Sequence, residues 1–598
     1  MIFAATKLQQ IERIAQLRDV LAHEKLDGFL VPLADEYMNE YVPEVAQRLT
    51  WLTGFTGSSG FAIILKDKAA FFTDGRYTIQ AAQQVNEQVY ELRHITKTPL
   101  NNYLAMHIKD GDKIAYDPWL HTRSGLDRIK TVLTKQKAKL ICVDKNLVDC
   151  IWQDKPSPPN AEIFAHDIKY AGETSASKRT RVAKELLALG LDAAVITTPP
   201  SIAWLLNVRG GDVENTPLPL SYAVLHANGT VDWFVNPSKL KPETRSLLTA
   251  DATIHSPDDF AAVIKQLGYK KAKVRVDVQH TPVRVMDMLE DAGASIDTGV
   301  DLCDLPKSCK NKTELAGIKA AHIRDGLALT KFLCWLAAQK SGSVTEIAAE
   351  EKLLEYRKSV PGFLYPSFPS ISGAGPHGAI VHYRATQESN RTLNANELYL
   401  IDSGGQYFDG TTDVTRTLAI GTPTPIMKTH YTLVLKGHIG LAMAVFPQGT
   451  HGGQLDILAR QHLWAAGLDY DHGTGHGVGA FLGVHEGPQS ISGRSTVPLR
   501  VGMVISNEPG YYLTGAYGIR IENLVFVKES EKQLDGKPML AFETLTLAPM
   551  DLNLVDVGLL TLLEKAWLND YHATVYKTHA THLNQAEKAW LKTATAAL

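Results

Sequence analysis

Short apolar runs alternate with polar, helix-period segments along this chain, and the alternation falls into three blocks. The first, residues 1–158, opens on a charged amphipathic helix and passes into "LDGFLVP" (26–32), an apolar run that predicts a buried strand. "LTWLTGFTGSSGFAIIL" and "AAFFTDGRY" follow as short strands punctuated by Gly, Ser and Asp-Gly turns. The block closes at "QDKPSPPNAE" (153–162), where three prolines in five residues favour an extended linker.

The second block, 159–310, repeats the first in weak form. "LDAAVITTPPSIAWLLNVRG" echoes "LDGFLVP" with "LTWLTGFTG", and "SYAVLHANGTVDWFV" echoes "GFAIILKDKAAFFTDG". Two α/β domains of one type, related by duplication, are expected. The third block, 311–598, opens on a helix in which Leu329, Phe332, Leu333 and Leu336 share a face and Glu314 lies near the N-terminus. A second helix, then strands and Gly-rich turns from "YPSFPSISGAGPHGAIVHY" onward, lead to an amphipathic helical tail from about 550. The fold class expected is α/β (α+β).

Length and composition add limits. With 598 residues the chain is too long for one core. Hydrophobic residues at 44% and charged residues at 21% are those of an ordinary globular protein. A net charge of -3 gives no reason to expect nucleic acid or an anionic membrane as partner. The densest basic run, Lys178 to Arg181, reads as the solvated face of a helix. No segment has the apolar core of a signal peptide or the roughly 20 apolar residues of a membrane span. The five cysteines, never in a CxxC pair, read as buried free thiols. A cytoplasmic protein is expected.

The chemistry gathers in the third block. In "ELYLIDSGGQYFDGTTDVTRTLAI" (397–420) a turn rich in Gly and Asp joins two apolar or β-branched stretches, as in a hairpin. Asp402 and Asp413 are symmetric about Tyr407-Phe408, so pairing there would face the two carboxylates across the ladder, Cβ atoms about 5 Å apart. Opposed like charges need something positive between them, and a divalent metal is the natural candidate. "GMVISNEPGYYLTGAYGIRIENLVFV" (502–527) repeats the device: Glu508 and Glu522 straddle a midpoint near Gly515. Within it the pleat sends Arg520 and Glu522 to one face and Ile519 and Ile521 to the other.

"HGTGHGVGAFLGVHE" (472–486) places His472 and His476 four apart, the spacing of a helical zinc site. Gly473, Gly475, Gly477 and Gly479 argue against a helix, each costing roughly 1 kcal/mol there. They suit a strand or tight loop in which another backbone or a ligand comes close. In an extended segment His472 and His476 share a face about 13 Å long by strand rise, and only one is well placed on a metal. Asp402, Asp413, His476, Glu508 and Glu522 thus make a set of four carboxylates and one imidazole. Such an oxygen-rich set favours Mn²⁺, Mg²⁺ or Fe²⁺, with Co²⁺ and Zn²⁺ also able to bind. Two ions about 3.5 to 4 Å apart would balance the charge and activate a water for hydrolysis.

These five residues, with "GAIVHY", "IDSGGQYFDGTTDVTRT", "HGTGHGVGAFLGVHEGP", "ISNEPGYY" and "GIRIENL", resemble the pita-bread metallopeptidases, a family that includes methionine aminopeptidase, prolidase, aminopeptidase P and creatinase. The duplicated first two blocks, with "WLTGFTGSSG" and "TDGRY", extend the resemblance over nearly the whole chain to the three-domain cytosolic Xaa-Pro aminopeptidases. The resemblance implies two creatinase-type N-terminal domains, a pita-bread catalytic domain and a homodimer. It also implies two divalent ions per subunit, Mn²⁺ foremost, and removal of the residue before a penultimate proline by a hydroxide bridging the metals. Asp402 would hold one ion, His476 and Glu508 the other, and Asp413 and Glu522 both. Glu508 would also relay a proton to the leaving amine. His382 and His485 would line the substrate and steady the oxyanion, His472 would contact the proline side, and Arg520 would brace the carboxylates. Arg76 is a candidate for the substrate entrance, and Tyr383 and Tyr511 for walls around the proline ring. His377 reads as surface loop, and His322 and His451 as structural. The competing readings are an Xaa-Pro dipeptidase (prolidase) and a non-catalytic peptide-binding module. A metal-free creatinase-type hydrolase is disfavoured by the intact ligand set.

Overall fold

A computed structural model describes residues 5–248, 252–531 and 536–598. The chain divides into two compact units, Met1–His166 with Glu173–Cys303, and Asp167–Gly172 with Asp304–Leu598.

The first unit holds two six-stranded sheets. One is built from Gly28–Pro32, Phe61–Leu65, Ala69–Thr73, Glu91–His94, Lys113–Tyr116 and Lys139–Cys142. The other is built from Ala193–Ile196, Tyr222–His226, Val231–Phe234, Thr253–His255, Lys273–Val276 and Ser295–Thr298. Counted in that order, the strands of each sheet lie side by side as four, three, two, one, five, six. In both, the first three pair antiparallel and the remaining contacts are parallel. The weak sequence echo is therefore one topology written twice. "GFLVP" lacks polar alternation because both faces of its sheet are covered. Phe29 and Val31 join one apolar cluster with Ile64 and Phe71, while Leu30 joins another with Ile63 and Phe72.

Two expectations fail in this unit. Lys178 is not solvated: it lies on helix Ser175–Ala188 but is buried, donating from Nζ to Trp204 O at 3.0 Å and Asn207 Oδ1 at 2.7 Å. Backbone and amide oxygens satisfy the ammonium as its stem crosses apolar surface. All five cysteines are free, as expected, but Cys142 and Cys150 are exposed and only Cys303 is buried among them.

In the second unit, helix Lys312–Ala337 starts at a reciprocal capping box between Asn311 and Glu314. Its Leu329, Phe332, Leu333 and Leu336 pack with Tyr399 and Ile401, on the strand that carries Asp402. That strand, Glu397–Ser403, pairs with Ile371–Ala374 and Val414–Ile420. Helices Pro425–Ala442 and Gly452–Ala465 flank the first strand of a six-stranded sheet. Its order is Val445–Pro447, Met539–Thr544, Asn523–Glu529, Val504–Asn507, Gly475–Gly477, Glu486–Ile491. The tail forms helices Leu562–His579 and Gln585–Ala594. Among the described residues no helix is long and apolar enough to cross a membrane.

Candidate active site

The first acidic ribbon forms as a hairpin, but its register is not the symmetric one. Asp402 pairs with Thr415, Ser403 with Val414 and Tyr407 with Gly410, so the turn is Phe408-Asp409. Asp413 is therefore the diagonal, not the direct, neighbour of Asp402. The error preserves the face, because moving a partner by two positions along a pleated strand returns to the same side. Both carboxylates project together, and both are buried.

The second ribbon follows the expected register. Val504 to Asn507 pair with Phe526 to Asn523, and Gly510 to Leu513 pair with Arg520 to Tyr517. Glu508 and Glu522 occupy the break between these two ladders, in the same register. Glu522 is fixed from three sides. Its Oε2 accepts the Thr415 hydroxyl at 2.7 Å, its N–H donates to Thr415 O at 3.2 Å, and its carbonyl accepts Arg416 Nη1 at 2.7 Å. The buried Arg416 also donates to Pro549 O, Ala548 O, Asn523 Oδ1 and Tyr571 Oη, which ties the ribbon to the C-terminal helices.

His476 lies in the short strand Gly475–Gly477, so the histidine-rich segment is extended and not helical. Its Nε2 stands 3.5 Å from Asp413 Oδ2 and 3.4 Å from Glu508 Oε1. The glycines beside it serve the protein's own backbone. A Cβ on Gly475 would meet Ser506 O at 1.9 Å, and one on Gly477 would meet Glu486 O at 2.2 Å. Of the two expected neighbours, another backbone or a ligand, it is backbone that comes close at Gly475 and Gly477.

The five residues thus converge, and their electrostatics show what the cluster lacks. Asp413, His476 and Glu522 offer ligand atoms within 4.8 Å of one another. Asp402 Oδ1, Asp413 Oδ1 and Glu522 Oε1 are buried with no hydrogen-bond partner. An orphaned carboxylate oxygen is costly, and three on carboxylates that repel one another fit divalent cations. Burial, with Asp402 and Glu508 nearby, lifts the Asp413 carboxyl to about 6 against the hydrogen bond from His476. Burial, then Asp413, Glu508 and Asp402, pushes Glu522 well above the carboxylate range. His476 is raised to about 9: burial alone would lower it, but Asp413 and Glu508 outweigh that. Every shift calls for positive charge at this point.

The accessory residues form two groups. The His485 ring lies 4.3 Å from that of His476, nearly perpendicular to it. Arg520 donates from Nη2 to Asp402 Oδ2 at 2.6 Å and to Val381 O at 3.3 Å, and from Nη1 to Tyr512 Oη at 2.6 Å. His472 Nε2 meets the same Tyr512 hydroxyl at 2.8 Å, and its Nδ1 faces Gly473 O at 2.7 Å. Arginine only donates, so the Tyr512 proton points to His472 Nε2, and the His472 Nδ1–H goes to Gly473. His382 is half-buried, next to Val381.

No motif marks Tyr512, although strand alternation puts it on the face of Arg520. Tyr511, offered as a wall for the proline ring, points the other way, into an apolar cluster against His430. Tyr383 is likewise no free wall, because its hydroxyl donates to Glu346 Oε2 at 3.0 Å. His377 is not surface loop: it lies in the 3₁₀ turn Gly375–Ala379, with Nδ1 on Glu346 Oε1 at 2.9 Å. His322 is buried, with Nδ1 2.8 Å from Ile318 O, and His451 stands at the N-cap of helix Gly452–Ala465, both structural as expected. Arg76, in the first unit, is held by Asp74 through Nε at 3.0 Å and Nη2 at 2.8 Å, with its guanidinium over Tyr77.

Comparison with known proteins places this geometry. Residues 316–529 match metallopeptidase family M24, and 538–598 match the C-terminal region of that peptidase family. Residues 13–149 and 154–314 each match the creatinase/prolidase N-terminal domain. The chain is 38% identical to aminopeptidase P2 of Arabidopsis thaliana, over 96% of this chain and 86% of that one. It is 39% identical to a probable Xaa-Pro aminopeptidase P of Aspergillus flavus, over 97% and 92%. The crystal structure of X-prolyl aminopeptidase from Caenorhabditis elegans, a cytosolic enzyme with a dinuclear active site, superposes with a TM-score of 0.94. It is 33% identical and covers 98% of this chain and all of that one. The chain belongs to metallopeptidase family M24, in its Xaa-Pro aminopeptidase P branch, with two creatinase-type N-terminal domains before the pita-bread domain.

Proposed function

We propose that the protein is a metal-dependent aminopeptidase that removes the N-terminal residue from peptides with proline in second position. The observation that carries the reading is the convergence of three orphaned carboxylate oxygens, on Asp402, Asp413 and Glu522, with His476 and Glu508. These five residues would hold two divalent ions, and the carboxylate-rich donor set favours Mn²⁺. Bound there, the ions would supply an activated water and polarise the scissile carbonyl.

The chain's own groups do the rest. Glu508 Oε1, steadied by the Ser506 hydroxyl at 3.1 Å, accepts the proton released by the attacking water and returns it to the proline nitrogen. His382 and His485 donate to the carbonyl oxygen as its charge develops. Both ring nitrogens of His472 are engaged, by Tyr512 and Gly473, so it meets the proline side with its ring edge. That suits a residue with no N–H to recognise. Arg520 holds Asp402 in place and balances one of the four negative charges. Arg76 is proposed at the substrate entrance. The domain limits 1–158, 159–310 and 311–598, a homodimer and a cytoplasmic site of action complete the proposal. The resemblance to the family and the cytosolic nematode enzyme support it.

The test compares Xaa-Pro-Xaa tripeptides with Xaa-Pro dipeptides after Mn²⁺ loading. Cleavage of the tripeptides is expected; hydrolysis of the dipeptides alone would make the protein a prolidase.

A further inference from the structure

Residues 375–391 form most of the connection, 375–396, between strands Ile371–Ala374 and Glu397–Ser403, and carry His382. One carboxylate spans this connection. Glu346, the first residue of helix Glu346–Lys358, is wholly buried. Its Oε1 accepts the Ala374 N–H at 2.8 Å and faces His377 Nδ1 at 2.9 Å. Its Oε2 accepts the Tyr383 O–H at 3.0 Å and the Arg391 N–H at 3.2 Å. Tyr383 Oη is in turn 2.9 Å from Ser389 Oγ, and Glu346 O accepts the Ser372 hydroxyl at 2.7 Å.

A buried carboxylate is stable only when several donors replace its water, so each of these bonds is strongly favoured. Helix capping does not account for the arrangement, because the Thr345 side chain already caps the helix by accepting the Ala348 N–H. What the donors share is the connection: they mark its beginning, its middle and its end. His382 sits between two tied residues. Val381 O receives Arg520 Nη2 from the metal-facing cluster, and Tyr383 is held by Glu346.

We propose that Glu346 is a positioning residue for the peptidase reaction, locking the 375–391 connection so that His382 is presented to the substrate carbonyl. His377 and Tyr383 are its tethers and do not contact substrate. The proposal rests on the aminopeptidase reading in one respect, the role of His382.

The experiment is a double-mutant cycle in the Mn²⁺-loaded full chain, joined to amide hydrogen exchange. Glu346→Gln should lower kcat by about 10- to 100-fold, with KM and metal content close to wild type. Placed on His382→Ala, the same substitution should cost nothing further. Exchange across 374–391 should accelerate while that of the 397–420 hairpin stays unchanged. Unchanged kcat, a full additional loss on His382→Ala, a loss of metal, or unaltered exchange would each overturn the proposal. If Glu346→Gln does not fold, Tyr383→Phe, which removes one O–H from the same carboxylate, decides by the same cycle. Its loss in kcat should vanish on His382→Ala, and an equal loss in both backgrounds, or none, overturns the proposal. The exchange readout needs no activity, so an inactive wild-type protein would count against the aminopeptidase reading while the Glu346 tether is still judged.

Discussion

Arg520 and Asp402 lie 118 residues apart on different ribbons and meet through Nη2 and Oδ2 at 2.6 Å. The contact joins the two acidic ribbons into one site. The guanidinium is fully buried, and burial would lower its pKa, but Tyr512, Asp402 and Glu508 hold it well above the usual arginine value. It is therefore a permanent charge. Arg520→Met should break a buried pair, with an expected cost of about 3–5 kcal/mol. Thermal unfolding of the metal-free protein should show the loss, and metal titration should show weaker uptake because Asp402 is no longer oriented.

Tyr512 is the hydroxyl through which Arg520 reaches His472. Tyr512→Phe keeps the ring and removes both bonds, freeing His472 to turn. A fall of about tenfold or more in kcat/KM toward Xaa-Pro-Xaa substrates is expected, with both metals retained. Steady-state kinetics alongside metal analysis checks this, and unchanged kinetics would remove Tyr512 from the account.

The glycine at 477 gives a sharper contrast. If it served the substrate, Gly477→Ala would raise KM and leave the fold intact. Its Cβ would instead meet Glu486 O at 2.2 Å, with Gln489 as close, so the strand bearing His476 must shift. A destabilisation of about 1–3 kcal/mol and a drop in metal occupancy are expected. Calorimetry and metal analysis of the purified variant measure both.

Acid should weaken the second unit through buried neutral histidines outside the metal set. Burial lowers His438 to about 3 and His572 to about 4, in each case with Arg416 adding to the effect. A depressed histidine pKa contributes stability that is complete above the unfolded value of 6.5 and is lost as pH falls toward the folded value. At pH 5 the expected loss is about 2 kcal/mol for each, relative to pH 7.5. His438→Gln should flatten the fall in Tm between pH 7 and pH 5; an unchanged slope would show that His438 does not titrate on unfolding.

The fold and the clustering of the five acidic and imidazole side chains are legible because both depend on local pattern. The apolar runs at 26–32 and 191–196 marked the central strands, and the two ribbons showed their acids through period-two alternation. At Asp402 and Asp413 the symmetric register centres the turn on Tyr407-Phe408, whereas the chain turns at Phe408-Asp409. A shift of two along one strand keeps the same face, so both carboxylates share it in either register. Period-two alternation opposite Arg520 selects Tyr512 over Tyr511, a signal the sequence carries. Arg416 and Glu346 were out of reach, because their partners lie up to 155 and 45 residues away. Nothing in the local pattern of "VTEI" (344–347) marks a carboxylate that will be buried beneath a distant loop.

On the proposed function, Asp402, Asp413, His476, Glu508 and Glu522 together hold a pair of divalent ions. Anomalous scattering from crystals of the Mn²⁺-loaded protein tests it most directly. Two manganese peaks per chain, enclosed by these five side chains, are expected. A single peak, or peaks coordinated elsewhere, would contradict it.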